Sequence, residues 1–279
     1  MDVSRFDDLI LRAFDEDLAS AGDLTSESIF GPDHRSSARL VARQDGVVAG
    51  LAIAERVFHL MDDAIEIESV AHDGDRVSAG SDLLRLAGHT RALLTAERTA
   101  LNFLGRLSGI ATLTTRLVDL VEGTGVLIAD TRKTTPTLRA LEKYAVRMGG
   151  GSNHRFGLYD AVMIKDNHIA AAGGIGRAVA MVRARVGHTV KIEVEVETLD
   201  ELRELLVVGA DIVLLDNMTA SQLREAVAMV GEELVTEASG GITEDTIRSV
   251  AETGVDVISV GALTHSAPNF DVALDFDPR

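Results

Sequence analysis

A chain of 279 residues with 46% hydrophobic content can bury one large core or two smaller ones, and it holds no run of about 18 apolar residues, which excludes a membrane-spanning helix. Its 44 acidic against 27 basic residues leave a formal charge of −17, which excludes a nucleic-acid-binding face built on broad positive potential. With no cysteine there are no disulfides, zinc–thiolate centres or thiol nucleophiles, and the scarcity of lysine beside so many acids suits a salt-rich medium.

The N-terminal stretch MDVSRFDDLILRAFDEDL is acidic and amphipathic and lacks a signal peptide's basic start, so a cytoplasmic protein is expected. Residues 36–88 read as short strands joined by turns. Ile65 and Ile67 alternate with Glu66 and Glu68 as in a half-buried strand, and Asp-Gly pairs at 45–46 and 73–74 mark turns. The segment DGDRVSAGSDLLRL is similar to the strand–turn–strand of biotin and lipoate carriers. Those carriers need a lysine at the turn, and none precedes Lys133, so only the sandwich-like shape is expected. From Thr90 the spacing turns helical, with Leu94, Leu101 and Leu104 on one face.

A different rhythm begins at residue 125. Apolar runs recur as GVLIAD (125–130), DAVMIKD (160–166), VKIEVEVE (190–197), DIVLLDN (211–217), ELVTEASGG (233–241) and VDVISVGA (255–262), the last four at intervals of 20 to 23 residues. Amphipathic helical patterns separate them. Alternating β and α units of this length predict a parallel sheet covered on both faces. Six units without a glycine-rich dinucleotide turn after the first strand favour a barrel over an open sheet.

Every run ends in polar or glycine-bearing residues: Asp130 to Lys133, Lys165 to Asn167, Glu195, Asp216-Asn217, Glu237 with Ser239 to Gly241, and Val260 to Ala262. In a β/α barrel such ends converge on one mouth, where the reacting groups sit. The four lysines are Lys133, Lys143, Lys165 and Lys191, and three of them fall within 33 residues among Arg132, Arg139, Arg147, His154 and Arg155. In so acidic a chain this concentration predicts a multiply charged anion. Lys165, ending an apolar strand, is expected to bind that anion or, if desolvated, to form a Schiff base. Glu193 and Glu195 share one face of their strand. Glu193 is expected to pair with an arginine inside the barrel, and Glu195 with Asp216 to offer hard oxygen ligands for Mg²⁺. The glycine loops of the last two units suit phosphate, and His34, His59 and His188 read as surface residues.

The long stretch TRKTTPTLRALEKYAVRMGGGSNHRFGLYDAVMIKDNHI, with EVEVET, LLDNM, ASGGI and VGALTHS, resembles the quinolinate phosphoribosyltransferase family. The likeness continues upstream through EDLASAGDLTSESI, GVVAGL and LLTAERTALNFLGRLSGIAT, and so covers almost the whole chain. It implies an α/β fold: an N-terminal α+β open sandwich over residues 1–110 and an incomplete α/β barrel over 111–265, the tail 266–279 packing back on the first domain. It also implies phosphoribosyl transfer from 5-phosphoribosyl-1-pyrophosphate to quinolinate with decarboxylation, in the presence of Mg²⁺, by a homodimer with shared sites or a hexamer built from such dimers. The positions matching the quinolinate site are Arg98 (given across the dimer), Thr131, Arg132, Lys133, His154, Arg155 and Lys165. Glu195 and Asp216 match the ribose and metal positions, with Lys133 and Lys165 also in catalytic places. Ser239, Gly240, Gly241, Val260, Gly261 and Ala262 match the phosphate loops. Thr137 departs from the pattern, standing where glycine is usual, and Met148 stands where cysteine is common. A Schiff-base aldolase using Lys165 and a non-catalytic phosphoribosyl sensor are the competing readings.

Overall fold

The computed structural model describes residues 2–277, and among these no helix is long and apolar enough to cross a membrane. The chain separates into two compact units: the chain up to Leu113 together with the segment from Ala267 onward, and Thr114–Ser266.

The first unit opens with helices α1 (Asp7–Leu18) and α2 (Leu24–Ile29). The Asp23 carboxylate starts α2 by accepting the Thr25 and Ser26 N–H groups at 3.1 and 2.9 Å, which satisfies two donors no helical carbonyl can reach. Strand β1 (Arg35–Ala42) follows, then β2 (Gly46–Val47), helix α3 (Leu51–Met61), β3 (Glu66–Ser69), β4 (Arg76–Val77) and β5 (Asp82–His89). Helix α3 presents Ile53, Ala54, Val57 and Phe58 on one stripe, all fully buried. Ile53, Val57 and Phe58 each contribute about 1.5–3 kcal/mol when removed from water. The long helix α4 (Thr90–Leu120) begins in this unit. It buries Leu93, Ala96, Leu101 and Leu104, while Leu94 is only half-buried.

The second unit is a parallel β/α array. Strands β6 (Leu127–Ala129), β7 (Val162–Ile164), β8 (Ile192–Val196), β9 (Ile212–Asp216), β10 (Val235–Ser239) and β11 (Val257–Ser259) line up in the order β6-β11-β10-β9-β8-β7. Between them lie α5 (Arg139–Met148), α6 (Asp166–Ala172), α7 (Ile175–Arg183), α8 (Leu199–Val208), α9 (Ala220–Val230) and α10 (Ile247–Ala251), and after β11 comes α11 (Ala262–His265). β6 and β7 are consecutive in the chain yet occupy the two edges, so the curved sheet is a barrel left incomplete. Ile192, Val194 and Val196 of β8 and Val213 and Leu215 of β9 are buried on one face, as are Leu202, Leu205, Leu223 and Ala226 of the helices. Thr198 and Thr219 cap α8 and α9, receiving the N–H of Glu201 and Gln222 at 3.2 and 3.3 Å, and each is capped in return by that residue's side chain. These caps fix where β8 and β9 stop being strand, and so where Glu195 and Asp216 emerge.

The last strand, β12 (Val272–Phe276), belongs to the first unit, where it completes the antiparallel sheet β12-β1-β5-β3 by pairing with β1 from Ala38↔Phe276 to Ala42↔Val272. The segment leading to it lies directly on α4: a side chain at Gly109 would run into the Pro268 carbonyl.

Candidate active site

Period-two alternation carries one side chain from every second position into the barrel interior. At the C-terminal end of the sheet these positions are Thr131, Met163 and Lys165, Glu195, Leu214 and Asp216, Glu237 and Ser239, and Ser259 and Gly261. Together they line a cavity of about 660 Å³. Arg132, Lys133, His154, Arg155, Gly240, Gly241, Val260 and Ala262 complete its wall from the loops. Every barrel residue that the family resemblance assigns to a substrate, phosphate or metal position therefore lines this cavity. Arg98 does not line it; it is exposed on α4 in the first unit. Glu237, expected only as a strand end at the mouth, lines the cavity as well, as do Ser259, Thr243 and His265, which the sequence did not mark. For Glu237 and Ser259 a signal existed, since each stands two residues before a position already chosen.

The loop 130–137 is fastened from several sides. Thr131 Oγ1 accepts the Lys133 N–H at 3.0 Å, the Thr264 hydroxyl donates to the Lys133 carbonyl at 2.8 Å, and Thr135 donates its N–H and hydroxyl to the buried Glu142 carboxylate at 3.0 and 2.8 Å. Thr137 has φ +70°, a left-handed conformation that a β-branched residue adopts only under strain. This is where the family resemblance expects glycine.

Beneath the loop lies a charged floor. Asp130 and Lys143 are both wholly buried and form an ion pair. Asp130 also receives the Asn153 amide at 2.6 Å and the His154 N–H at 2.9 Å, while Lys143 donates to the His154 carbonyl at 2.8 Å. Burial pushes the Asp130 carboxyl up and the Lys143 ammonium down, and their pairing opposes both shifts. Lys143 thus serves the architecture of the site, which corrects its inclusion in an anion-binding cluster. Arg139 is similar: it donates to Thr134 Oγ1 at 3.0 Å and to the Phe156 carbonyl at 2.9 Å.

His154 sits above this network. Its Nδ1 accepts the Arg155 N–H at 2.7 Å, which leaves Nε2 to face Glu193 at 3.1 Å and Glu237 at 3.5 Å. The pairing of Glu193 with an imidazole replaces the arginine partner expected from the sequence. Burial opposes a second proton on the ring, but the two glutamates outweigh it and hold the ring's pKa above its ordinary value. Glu237 is pushed up to about 7, by burial first and then by the charge of Glu193. Its Oε1 is buried without a hydrogen-bond partner. The ligand atoms of His154, Glu193 and Glu237 lie within 4.8 Å of one another, so a charge on Glu237 is costly in this buried cluster.

The rim is different. Lys165 is 44% exposed and pairs with Glu195. Asp216 is pushed up by burial and by the Glu195 charge, against the pull of Lys165 and Lys133, and the Asn217 amide donates to its Oδ2 at 2.6 Å. Two hard carboxylates, one of them resisting ionisation beside the other at the edge of an open cavity, fit Mg²⁺, which would relieve that repulsion. On the neighbouring strand, where Ser239 is the register partner of Asp216, the loop after β10 turns through Gly240 and Gly241 at φ +94° and +61°, left-handed conformations that glycine adopts freely. Of the remaining histidines, His59 and His188 are exposed, whereas His34 is half-buried and bonded to Thr90 at 2.7 Å.

Residues 23–108 match the N-terminal domain and residues 110–275 the C-terminal domain of quinolinate phosphoribosyl transferase. The chain is 47% identical over 269 residues to a probable carboxylating nicotinate-nucleotide pyrophosphorylase of Bacillus subtilis, covering 96% of this chain and 92% of that protein. It is 41% identical to a mitochondrial decarboxylating quinolinate phosphoribosyltransferase of Nicotiana glauca, over 95% of this chain and 80% of the other. Among solved structures, NadC from Streptococcus pyogenes superposes with a TM-score of 0.95 at 41% identity, over 100% of this chain and 99% of that one.

Proposed function

The chain belongs to the quinolinate phosphoribosyltransferase family, and from that premise we propose that it transfers the phosphoribosyl group of 5-phosphoribosyl-1-pyrophosphate to quinolinate. The products are nicotinate mononucleotide, pyrophosphate and CO2, a step of NAD biosynthesis. The observation that carries the reading is one cavity joining four cations, Arg132, Lys133, Arg155 and Lys165, to the carboxylates Glu195 and Asp216 and to two glycine-bearing loops.

Quinolinate is a planar dianion. Arg132 and Arg155 can each grip a carboxylate through two parallel N–H groups, and Lys133 adds a point charge that water screens poorly inside the cavity. The glycine loops 239–241 and 260–262 bring backbone N–H groups close to the sugar phosphate. As the bond between sugar and pyrophosphate breaks, positive charge grows on the ribosyl carbon, where Glu195 and Asp216 stabilise it. Glu195 and Asp216 would also hold Mg²⁺, directly or through water, and the ion supplies charge neutralisation at the pyrophosphate when bound. The pyridine nitrogen forms the new bond to the sugar and becomes cationic. It then holds the electron pair left at C2 when the 2-carboxylate departs as CO2, and a proton from water completes the C–H bond. Lys165 pairs its ammonium with Glu195, which argues against a desolvated amine poised for a Schiff base.

We read Arg98 as a residue given to the cavity of a second copy in a homodimer, or in a hexamer of such dimers. Its exposure supports this, as do Leu158 and Tyr159, apolar side chains left 73% and 83% exposed beside Arg155. Incubation with the sugar donor, Mg²⁺ and either quinolinate or nicotinate tests the reaction: product and CO2 are expected from quinolinate alone. Equal or better turnover of nicotinate would contradict the assignment.

A further inference from the structure

We propose that Asn217 is a positioning residue that locks the Asp216 carboxylate to the phosphate loop, so that the cation site and the sugar-donor site are set as one unit. Four observations meet on it. Its φ of +55° lies in the left-handed region, which asparagine tolerates better than other residues bearing a side chain. Its Nδ2 donates to Asp216 Oδ2 at 2.6 Å, the length of a charge-assisted bond. Its backbone N–H donates to the Ser239 carbonyl at 2.9 Å, tying the end of β9 to the end of β10. A Cβ at Gly240 would lie 2.7 Å from Asn217 Cγ and 2.9 Å from its nitrogen, so the glycine loop closes over the asparagine only because it carries no side chain there.

The left-handed turn directs the amide back onto the preceding carboxylate, and the Ser239 bond keeps that turn in register with the loop. Asp216 thereby loses rotamer freedom before any ligand arrives, and the carboxylate oxygen not engaged by Asn217 is left for the cavity. Groups that orient metal-binding carboxylates typically change metal affinity by about 10–100-fold. This inference rests on the reading of Asp216 as a cation and sugar-donor residue.

The test compares Asn217→Gly, which keeps the left-handed backbone and removes the amide, with Asn217→Asp, which keeps the shape and loses the donor. Mn²⁺ binding to the protein alone is followed by electron paramagnetic resonance, and KM is measured separately for 5-phosphoribosyl-1-pyrophosphate and for quinolinate. Both variants are expected to weaken Mn²⁺ and raise the donor KM by about tenfold or more, with quinolinate KM within twofold and melting temperature unchanged for the glycine variant. An Asn217→Gly protein with wild-type Mn²⁺ binding and donor KM overturns the proposal. So does one in which both KM values rise together with a falling melting temperature, because that marks a structural role. An Asp216→Asn control with unaltered Mn²⁺ binding and donor KM would instead refute the underlying reading of Asp216.

Discussion

Glu193 and Glu195 stand two residues apart on one strand and face the same interior, yet one is sealed beneath His154 while the other reaches Lys165 at the open rim. The same division runs through the whole barrel mouth. Asp130, Lys143, Glu193 and Glu237 form a floor with almost no access to water, and Lys165, Glu195, Asp216 and Lys133 form a rim that meets it. A charge in the floor has only its partners to replace hydration, so removing one partner strands the other. A rim charge keeps solvent as an alternative, so its loss is expected to fall on ligands rather than on folding. Similar residue types thus do opposite work within one layer of side chains.

The largest expected effect breaks the floor: Lys143→Met leaves Asp130 buried and unpaired, and should cost about 3–5 kcal/mol in denaturant unfolding. Lys165→Met at the rim should cost no more than about 1 kcal/mol while abolishing most turnover. Equal destabilisation by the two would erase the distinction. Next in size, Lys133→Ala and Arg155→Ala should each raise the KM for quinolinate by about 10–100-fold, the value of a lost charged hydrogen bond of roughly 1.5–3 kcal/mol, with a smaller change for the sugar donor. Unchanged quinolinate kinetics in both would remove these side chains from the anion site.

The floor also predicts a pH dependence. Glu237 rises from an ordinary 4.5 to about 7 on folding, so between those values the native state holds a proton that the unfolded chain has released. Its contribution to stability is therefore complete below the ordinary value and is lost as pH rises towards 7. The raised pKa of His154 acts in the same direction above its own unfolded value. Glu237→Gln should flatten the decline measured by denaturation between pH 5 and 8, and an identical slope in the variant would show that the cluster does not titrate there. The smallest effect belongs to the strained loop: Thr137→Gly should relieve the φ of +70° and raise stability by about 0.5–1 kcal/mol in thermal unfolding.

The rim was far more legible in the sequence than the floor, for a physical reason. Each βα unit announces itself by an apolar run, and the polar residue that ends the run is adjacent in sequence to the signal that locates it. Thus Lys165, Glu195 and Asp216 could be named before any coordinates. The floor depends on which side chains return from distant segments. Lys143 lies on α5 among Leu141, Glu142, Ala145 and Val146, all buried, so the usual exposure of charged residues gave the wrong environment. Glu193 was rightly turned inward by alternation, but its partner His154 comes from a loop 39 residues away, which no spacing rule reveals. Thr137 was visible as a departure from family pattern, while its strain became evident only from the backbone angle.

The most direct measurement uses quinolinate labelled at its 2-carboxyl carbon, with 5-phosphoribosyl-1-pyrophosphate and Mg²⁺, and counts labelled CO2 against nicotinate mononucleotide. One labelled CO2 per nucleotide, and none when the sugar donor is withheld, is the result expected of a cavity that ribosylates the ring before it decarboxylates. Release of label without the donor, or nucleotide that retains it, would contradict the account.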